Sequence, residues 1–210
     1  MEVRDEIIAR AEQLFMRIGV KSVTMDDISR ELGISKKTLY QHFENKDNLI
    51  EAVVSTHVDR ERQVMEGICS KAIDALDEIR TIGVFITATI EDVSPSTLFD
   101  LQKYYHKSWE LLIKKQDEQM INCIVKNIEK GKAEGHYRAE VNPDIIARIY
   151  AKATYLVVEE VANPNSKFSR RELIWELHNY HIHALATPAG LALWKQYNSE
   201  MKYYDTSKTN

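Results

Sequence analysis

Residues 19–50 read GVKSVTMDDISRELGISKKTLYQHFENKDNLI and decide the fold of the surrounding chain. Thr24 is a favoured helix N-cap, and Asp27 three residues later completes a near capping box with Asp in place of Glu. Gly33 ends that helix, and Ser35 caps the next one. Two short helices separated by a three-residue turn with a glycine are typical of a helix-turn-helix.

The second of these helices divides its side chains between two faces. Leu39 and Phe43 lie four residues apart and are expected to point inward. The N-terminal part of a recognition helix enters the DNA major groove, and the free N–H groups at its start attract phosphate. Lys36 and Lys37 in this first turn oppose the helix dipole, a penalty that a phosphate or a guanine edge would reverse. The competing interpretation of the same lysines is a solvated surface helix.

Composition favours long helices and neither supports nor excludes a nucleic-acid partner. The chain has 210 residues, of which 44% are hydrophobic, with only 7 Gly and 4 Pro. Its formal net charge is −4, and residues 1–50 contain eight Lys and Arg against nine Asp and Glu. Binding depends on the field at one face, so any DNA contact must come from a local arrangement.

Helical periodicity continues along the rest of the chain. An apolar stripe through Ile7, Ala11 and Phe15 predicts a first helix that ends at Gly19, and Lys46 opens a fourth helix. Proline and glycine punctuate the later helices. The predicted spans are 68–92, 95–104, 106–134, 144–162, 170–186 and a short one at 189–202.

The two cysteines and the N-terminus indicate an intracellular location. Cys69 and Cys123 lie 54 residues apart without ligand-like spacing, which suggests free, buried thiols in a reducing compartment. The N-terminal residues are acidic where a signal peptide is basic and then apolar. The longest stretch without Asp, Glu, Lys or Arg, residues 177–194, is a poor membrane span because it contains three His, an Asn and a Pro. We expect a soluble cytoplasmic protein.

Residues 19–50 closely resemble the DNA-binding region of the tetracycline-repressor (TetR) family of bacterial transcription regulators. The family pattern is G-x-x-x-x-T-x-x-x-I-A-x-x-x-G-V-S-x-x-T-L-Y-x-H-F-x-x-K-x-x-L. Ser29 replaces the usual Ala, Ile34 replaces Val, and Asp26 is acidic where some members have a base-reading Arg. The resemblance implies an all-α protein of about nine helices. It would comprise a helix-turn-helix domain at 1–48, an effector-binding and dimerisation domain at 49–204, and a polar tail at 205–210.

The resemblance also assigns roles within the helix-turn-helix. It places Lys36, Lys37, Thr38 and Gln41 at base edges or nearby phosphates. The remaining residues would contact backbone phosphates; they are Thr24, Tyr40, His42 and Lys46. The partner would be a palindromic double-stranded operator bound by a homodimer, because two recognition helices about 34 Å apart read two half-sites.

The C-terminal helices are predicted to bind an unidentified small-molecule effector and to dimerise, with no cofactor. Aromatic or polar-capable side chains in apolar helices are the candidate ligand contacts, although such residues also occur in plain cores; they are Phe85, Thr89, Tyr104, Trp109, Met120 and Tyr155. The last two long helices would pair with those of a second subunit. The candidate interface residues are Ile146, Tyr150, Ala153, Val157, Leu173, Leu177, Tyr180 and Ala184.

We expect a ligand-responsive transcriptional regulator, most simply a repressor, and not an enzyme. The chain contains no Glu-x-x-His, H-E-x-x-H, G-x-S-x-G or G-x-x-x-x-G-K motif. His178, His181 and His183 lack an acid at matching spacing, so a solvated or interface cluster is favoured over a metal site. The alternative function is a helix-turn-helix protein that acts without an effector, as an architectural or protein-regulated module.

Overall fold

The computed structural model describes residues 2–91, 94–163 and 165–200. These residues form ten α-helices and one isolated β-bridge between Tyr137 and Ala186, so the expected all-α class is confirmed. The helices are α1 Val3–Ile18, α2 Met25–Leu32, α3 Lys36–His42, α4 Lys46–Lys71, α5 Ala75–Glu91, α6 Pro95–Tyr104, α7 His106–Ala133, α8 Pro143–Ala162, α9 Arg170–Leu185 and α10 Pro188–Glu200. Within these ranges, no helix combines the length and the apolar character needed to cross a membrane. The predicted tail at 205–210 lies outside the described residues.

Helix α1 provides the apolar surface on which the other N-terminal helices pack. Its apolar side chains recur every three or four residues and are buried, among them Ile7, Ala11 and Phe15. The helix ends at Gly19, whose φ of 90° disfavours any other residue type. A Cβ at Gly19 would also lie 2.7 Å from Ser96 Oγ of α6, so glycine permits the close approach of α6 to the end of α1.

Helices α2 and α3 pack on α1 through a core that continues into the C-terminal part of the chain. Ile28, Leu39 and Phe43 belong to this core, and so do Leu101 of α6 and Leu112 of α7. The predicted domain boundary after residue 48 falls in the first turn of α4, a continuous helix of 26 residues. The division into domains stays a prediction, and a shared core crosses its boundary.

The predicted helix at 68–92 is wrong at its start, because α4 continues to Lys71 and α5 begins at Ala75. Asp74 Oδ1 accepts hydrogen bonds from the backbone N–H groups of Leu76 and Asp77, both at 2.8 Å. Glu134 Oε2 accepts a further bond from Ala75 N at 2.9 Å. These two carboxylates satisfy free N–H groups at the start of α5 and favour a new helix at this point.

A second core holds the C-terminal helices together. Trp194 of α10 is buried there and stacks on Trp175 of α9, with ring centroids 6.0 Å apart. The Tyr137 ring lies so close to α7 that a Cβ at Gly131 would come within 2.2 Å of it. This packing fixes the loop after α7 and positions the long helices α7 and α8 side by side.

Candidate functional site

The turn between α2 and α3 has the geometry that the sequence predicts. Thr24 Oγ1 accepts a hydrogen bond from Asp27 N at 3.1 Å, and Asp27 Oδ2 accepts one from Thr24 N at 3.0 Å, so the capping box is complete. Gly33 adopts the left-handed conformation with φ 65°. Ser35 Oγ then caps α3 by accepting from Thr38 N at 3.0 Å. These local bonds fix the angle at which α3 leaves α2.

Helix α3 presents most of its predicted DNA contacts to solvent. Lys37, Tyr40, Gln41 and His42 are exposed, whereas Leu39 is buried beneath them. In the described part of the chain, the side chains of Lys37, Gln41 and His42 make no hydrogen bond or ion pair. Their polar groups are therefore available to a partner without the loss of an internal bond.

Lys36 differs from its neighbour because it has an internal partner. Its ammonium lies 2.5 Å from Asp26 Oδ2 of α2. Both side chains are exposed, and such surface ion pairs contribute little to stability. A DNA phosphate would have to compete with Asp26 for this lysine.

Three of the predicted DNA contacts also have a structural role. Thr24 and Thr38 use their hydroxyls in the capping bonds, the latter 2.8 Å from Ser35 Oγ. Lys46 is half-buried and donates to the carbonyls of Val20 and Lys21 at 2.6 and 3.3 Å. Burial lowers the pKa of Lys46, although Asp100, Asp47 and Asp27 oppose this. Two of its three donors thus tie α4 to the α1–α2 loop and one remains, so the phosphate contact of Lys46 stays a prediction.

A cavity of about 110 Å³ lies beneath the helix-turn-helix, and we call it the proximal cavity. Its walls come from α1, α4, α5, α6 and α7 and are mainly apolar. The polar groups on them belong to Glu12, His57, Glu61, Thr89, Thr97 and Gln116. A small, largely apolar molecule with few polar atoms matches such a lining.

A second cavity of the same volume, the distal cavity, lies between α4, α5, α7 and α8. It shares Glu61, Thr89, Ile113 and Gln116 with the proximal cavity. Of the predicted ligand contacts, Thr89 lines both cavities, Trp109 lines the proximal one, and Met120 and Tyr155 line the distal one. Phe85 lines an open groove beside α1 and α4.

Tyr104 lines neither cavity, so its assignment as a ligand contact is corrected. It lies on the surface with 41% of its area exposed. Lys21 Nζ donates to its hydroxyl at 3.1 Å and sits 4.2 Å from its ring centroid. Tyr104 therefore packs against the α1–α2 loop, because α6 ends on the outer side of that loop.

Helix α6 connects the proximal cavity to the end of α1. Thr97, whose side chain faces the cavity, donates from Oγ1 to the carbonyl of Phe15 at 2.6 Å. Ser94 N donates to Met16 O at 3.0 Å, and Asp100 Oδ2 accepts from Lys21 N at 2.7 Å. These bonds join residues about eighty positions apart, so the sequence offered no signal for them.

A buried ion cluster joins α1 to α4 at the edge of the same cavity. His57 donates from both ring nitrogens, to Glu12 Oε1 at 2.7 Å and to Glu61 Oε1 at 3.3 Å. Burial lowers the pKa of His57, but the hydrogen bonds with Glu12 and Glu61 outweigh it and raise the pKa to about 9. Burial likewise raises the pKa of Glu12, yet bonds from His57 and Arg60 bring it below its usual value. The cluster therefore contains a charged imidazolium at neutral pH.

The predicted dimer residues fall on two different faces of α8 and α9. Tyr150 is buried, with its ring centroid 4.2 Å from that of His181, and Ile146 packs against the same core. Tyr150 is corrected, because it is buried within the subunit, whereas Ile146 is only partly buried and stays a prediction. Ala153, Val157, Leu173 and Leu177 are half-buried, while Tyr180 and Ala184 are exposed.

The outward side of α8 is unusually apolar. Ile145, Ile149 and Leu156 are 56%, 58% and 65% exposed, and Tyr180 of the neighbouring α9 is 75% exposed. The spacings of four and seven residues place the three α8 side chains on one stripe. We call Ile145, Ile149, Leu156 and Tyr180 the outward face; exposed apolar patches of this kind mark interaction sites.

The histidine cluster is not the solvated or interface group that the sequence favoured. His178 and His181 are buried, and burial lowers the pKa of both, that of His181 to about 3. His178 donates from Nδ1 to Ile174 O at 2.8 Å and faces the Tyr150 hydroxyl at 3.4 Å. Of these three histidines, only His183 is exposed. The first two are neutral core residues.

Comparison with known proteins agrees with this architecture. Residues 7–53 match the family described as bacterial regulatory proteins, tetR family. The HTH-type transcriptional regulator YvaF of Bacillus subtilis, itself uncharacterised, is 26% identical over 147 residues, which are 69% of this chain and 75% of that protein. The HTH-type transcriptional repressor KstR2 of Mycolicibacterium smegmatis is 22% identical over 169 residues, 74% of this chain and 77% of that one.

Solved structures reproduce the fold over nearly the whole chain. The reduced form of NemR from E. coli superposes with a TM-score of 0.69 at 16% identity, covering 90% of this chain and 100% of that one. The ketosteroid transcriptional regulator KstR2 of Mycobacterium tuberculosis gives 0.57 at 16% identity, covering 89% and 96%. At such identities the likeness concerns the fold alone.

A helix-turn-helix with a solvent-facing α3, carried by a larger helical body, defines a DNA-binding transcriptional regulator and not an enzyme. The match of residues 7–53 identifies this helix-turn-helix as one of the TetR family of these regulators. The family implies operator binding, dimerisation and control by small-molecule effectors, and its members include repressors.

Proposed function

We propose that this protein is a repressor that leaves its operator when a small molecule occupies the proximal and distal cavities. The observation that supports this is the position of the proximal cavity. Its wall includes Thr97 of α6 and Phe15 of α1, the two residues joined by the hydrogen bond between those helices. A molecule in the cavity therefore touches the connection that orients the helix-turn-helix.

The size of the cavities gives binding a mechanical consequence. Each measures about 110 Å³, whereas sites for drug-sized ligands occupy about 300–1,000 Å³. An effector of that size must merge the two cavities or push their walls apart. Of the four shared wall residues, Thr89, Ile113 and Gln116 are the first to move, and α4 and α6 follow because they line the proximal cavity.

Release then follows from unequal affinities. The effector must bind the expanded conformation more tightly than the one that fits DNA, since a ligand with equal affinity for both shifts nothing. By linkage, DNA must weaken effector binding by the same factor. Expansion at α6 strains the bonds to Phe15 and Lys21, and the angle between the two recognition helices of a dimer changes.

The lining indicates the chemical class of the effector. Apolar side chains dominate, and Gln116 and Thr89 lie where the two cavities adjoin. The carboxylates of Glu12 and Glu61 are already bonded to His57. We propose an uncharged, largely apolar effector with one hydrogen-bonding group directed at Gln116. Because the similar KstR2 of M. tuberculosis is a ketosteroid transcriptional regulator, rigid apolar ketones are included among the probes.

The experiment uses intrinsic fluorescence and operator binding together. Trp109 lines the proximal cavity, whereas Trp175 and Trp194 lie in the second core, so an effector changes the emission of the wild type and not of Trp109→Phe. An operator is first selected from random duplexes. A compound that changes the emission is expected to lower operator affinity about 10-fold or more, and the operator to lower affinity for that compound equally.

A cavity-filling variant tests the location. Leu98→Trp on α6 adds bulk to the proximal cavity and should weaken effector binding about 10-fold or more. Gln102→Trp is the matched control, because Gln102 is exposed on the same helix. Equal binding by both variants would place the effector elsewhere. Operator binding that no compound affects would favour the effector-free alternative.

We propose that two chains pair through the outward face and present two α3 helices to a palindromic operator. The face is apolar and exposed, and dimers of this kind read half-sites about 34 Å apart. Ile149→Glu is expected to give monomers in analytical ultracentrifugation and to abolish binding to the full operator. Val64→Glu on α4, also exposed, is the control and should stay dimeric. A dimeric Ile149→Glu variant would contradict the assignment.

A further inference from the structure

Cys69, Glu78 and Cys123 meet inside the helical body although they are far apart in the sequence. They belong to α4, α5 and α7 respectively. The two sulfur atoms and a carboxylate oxygen all lie within 4.8 Å of one another. Glu78 is buried, while both cysteines are partly exposed, so solvent can reach the group from one side.

The carboxylate of Glu78 is held in place by neighbours on α7. Asn127 Nδ2 donates to its Oε1 at 3.1 Å, and Lys130 Nζ lies 3.1 Å from its Oε2. The Tyr137 hydroxyl donates to Asn127 Oδ1 at 3.0 Å, and Asn127 also donates to Ala75 O. Each carboxylate oxygen has two lone-pair positions, so Glu78 can keep both partners and still bind a cation. Outer hydrogen bonds of this kind orient metal ligands.

We propose that Cys69, Cys123 and Glu78 bind one thiophilic divalent cation of the zinc class. Two sulfurs and one carboxylate oxygen are ligand types that zinc accepts, and a solvent water completes a tetrahedron. The charges also balance, since two thiolates, one carboxylate, the cation and the Lys130 ammonium sum to zero. This site shares no residue with the effector cavities and adds a second input to the proposed regulator.

Occupancy has two consequences. Each cation displaces two thiol protons, so its apparent affinity rises with pH. It also fastens the C-terminal end of α4 to α5 and α7, and α4 carries the helix-turn-helix at its other end. The bound form therefore resists any movement of α4 relative to these helices.

Cobalt(II) is the probe, because thiolate ligation gives it a charge-transfer band in the near ultraviolet. The full-length protein is kept reduced with a phosphine and titrated with Co²⁺, then with Zn²⁺ as competitor. The wild type is expected to develop the band at one ion per chain and to lose it on addition of Zn²⁺. Cys69→Ser and Cys123→Ser should each lower affinity about 100-fold, and Glu78→Gln about 10- to 100-fold with the band retained.

Two controls distinguish cation binding at this site from binding elsewhere on the protein. Glu129→Gln and His183→Gln, at exposed positions, should bind Co²⁺ as the wild type does. Thermal unfolding checks that the variants fold, and alkylation of the wild-type thiols with iodoacetamide gives the same test without a mutation. Binding that survives alkylation would overturn the proposal, and so would an absent band in the wild type. Glu78→Gln binding like the wild type would also overturn it, leaving a simple thiol pair that oxidants can join as a disulfide.

Discussion

The α2–α3 surface and the junction between α1, α4 and α6 are neighbours that are built in opposite ways. On the surface, the bonds that set the geometry join residues three apart, such as Thr24 with Asp27 and Ser35 with Thr38. At the junction, Glu12 bonds to a residue 45 positions away, and Phe15 to one 82 positions away. Polar side chains on the α2–α3 surface are exposed to solvent, whereas those at the junction form hydrogen bonds and ion pairs within the protein.

We propose that this difference separates DNA recognition from control by an effector. A change on the α3 surface is expected to alter contacts with DNA and to leave the free protein intact, because exposed side chains there contribute little to folding. A change at the junction alters stability and orientation, because buried polar groups lose partners there. Substitutions in the two regions test that separation, from the largest expected effect to the smallest.

The strongest test concerns pH and His57. Its pKa is raised from 6.5 to about 9 by folding, so its stabilisation is fully present below pH 6.5 and is lost as pH rises through 9. The corresponding free energy of unfolding is at most about 3 kcal/mol. Urea unfolding of the wild type between pH 6 and 10 should show this decline, and His57→Gln should remove most of it.

The buried histidines give the opposite slope on the acid side. Burial lowers the pKa of His178 and His181 below 6.5, so the unfolded chain takes up protons first and stability falls as pH falls from 6.5 towards 3. Stability is therefore expected to be greatest near pH 6.5. A decline above pH 7 that persists in His57→Gln would show that the ion cluster at the junction is not its source.

The second test removes one exposed lysine from α3. Lys37→Ala is expected to cost about 2 kcal/mol in operator binding, because it removes a base or phosphate contact, and to leave thermal unfolding unchanged. Fluorescence anisotropy at several salt concentrations measures both affinity and salt slope. Lys71→Ala, at the far end of α4, is the control. A loss of stability in Lys37→Ala would contradict the proposal that the α3 surface acts in DNA binding and not in folding.

The third test removes one bond of the junction. Thr97→Val keeps the shape of the side chain but deletes the hydrogen bond to Phe15 O, at a cost of about 1 kcal/mol in the free energy of unfolding. Since α6 then holds α1 less firmly, the variant should also need less effector for release. Gln102→Ala, exposed on the same helix, is the control. Unchanged stability and effector response in Thr97→Val would remove α6 from the proposed pathway.

The smallest effect is expected from a gain of function on the surface. Asp26→Asn frees Lys36 and removes a negative charge close to the phosphates, so operator affinity should rise by less than about 1 kcal/mol. The gain should shrink as salt increases. Asp5→Asn in α1 is the matched control. Weaker binding by Asp26→Asn would mean that the ion pair positions Lys36 for DNA.

Structural features set by bonds between neighbouring residues could be predicted from the sequence. Features set by packing between distant parts of the chain could not. The caps at Thr24 and Ser35 and the turn at Gly33 could be predicted because their bonds span three residues. Tyr104 was assigned to a pocket and Tyr150 to an interface because apolar periodicity shows that a residue is buried or amphipathic, and not against what.

Distance along the chain explains the other misses. The meeting of Cys69 and Cys123 depends on how α4 and α7 pack, and no local pattern records that packing. The three α8 residues of the outward face were missed for a similar reason, because Ile145 and Ile146 are adjacent and only the packed helix shows which one faces solvent. Single positions on α8 become predictable once the rotation of the helix is known.

The length of α4 limits how far this helix can tilt before the helix-turn-helix loses its position on the operator. Its 26 residues span about 39 Å, so a tilt of about 5° pivoting at the C-terminal end displaces the other end by about 3 Å. Base pairs are stacked about 3.4 Å apart along DNA. A small angular change is thus amplified into a displacement of nearly one base step at the helix-turn-helix.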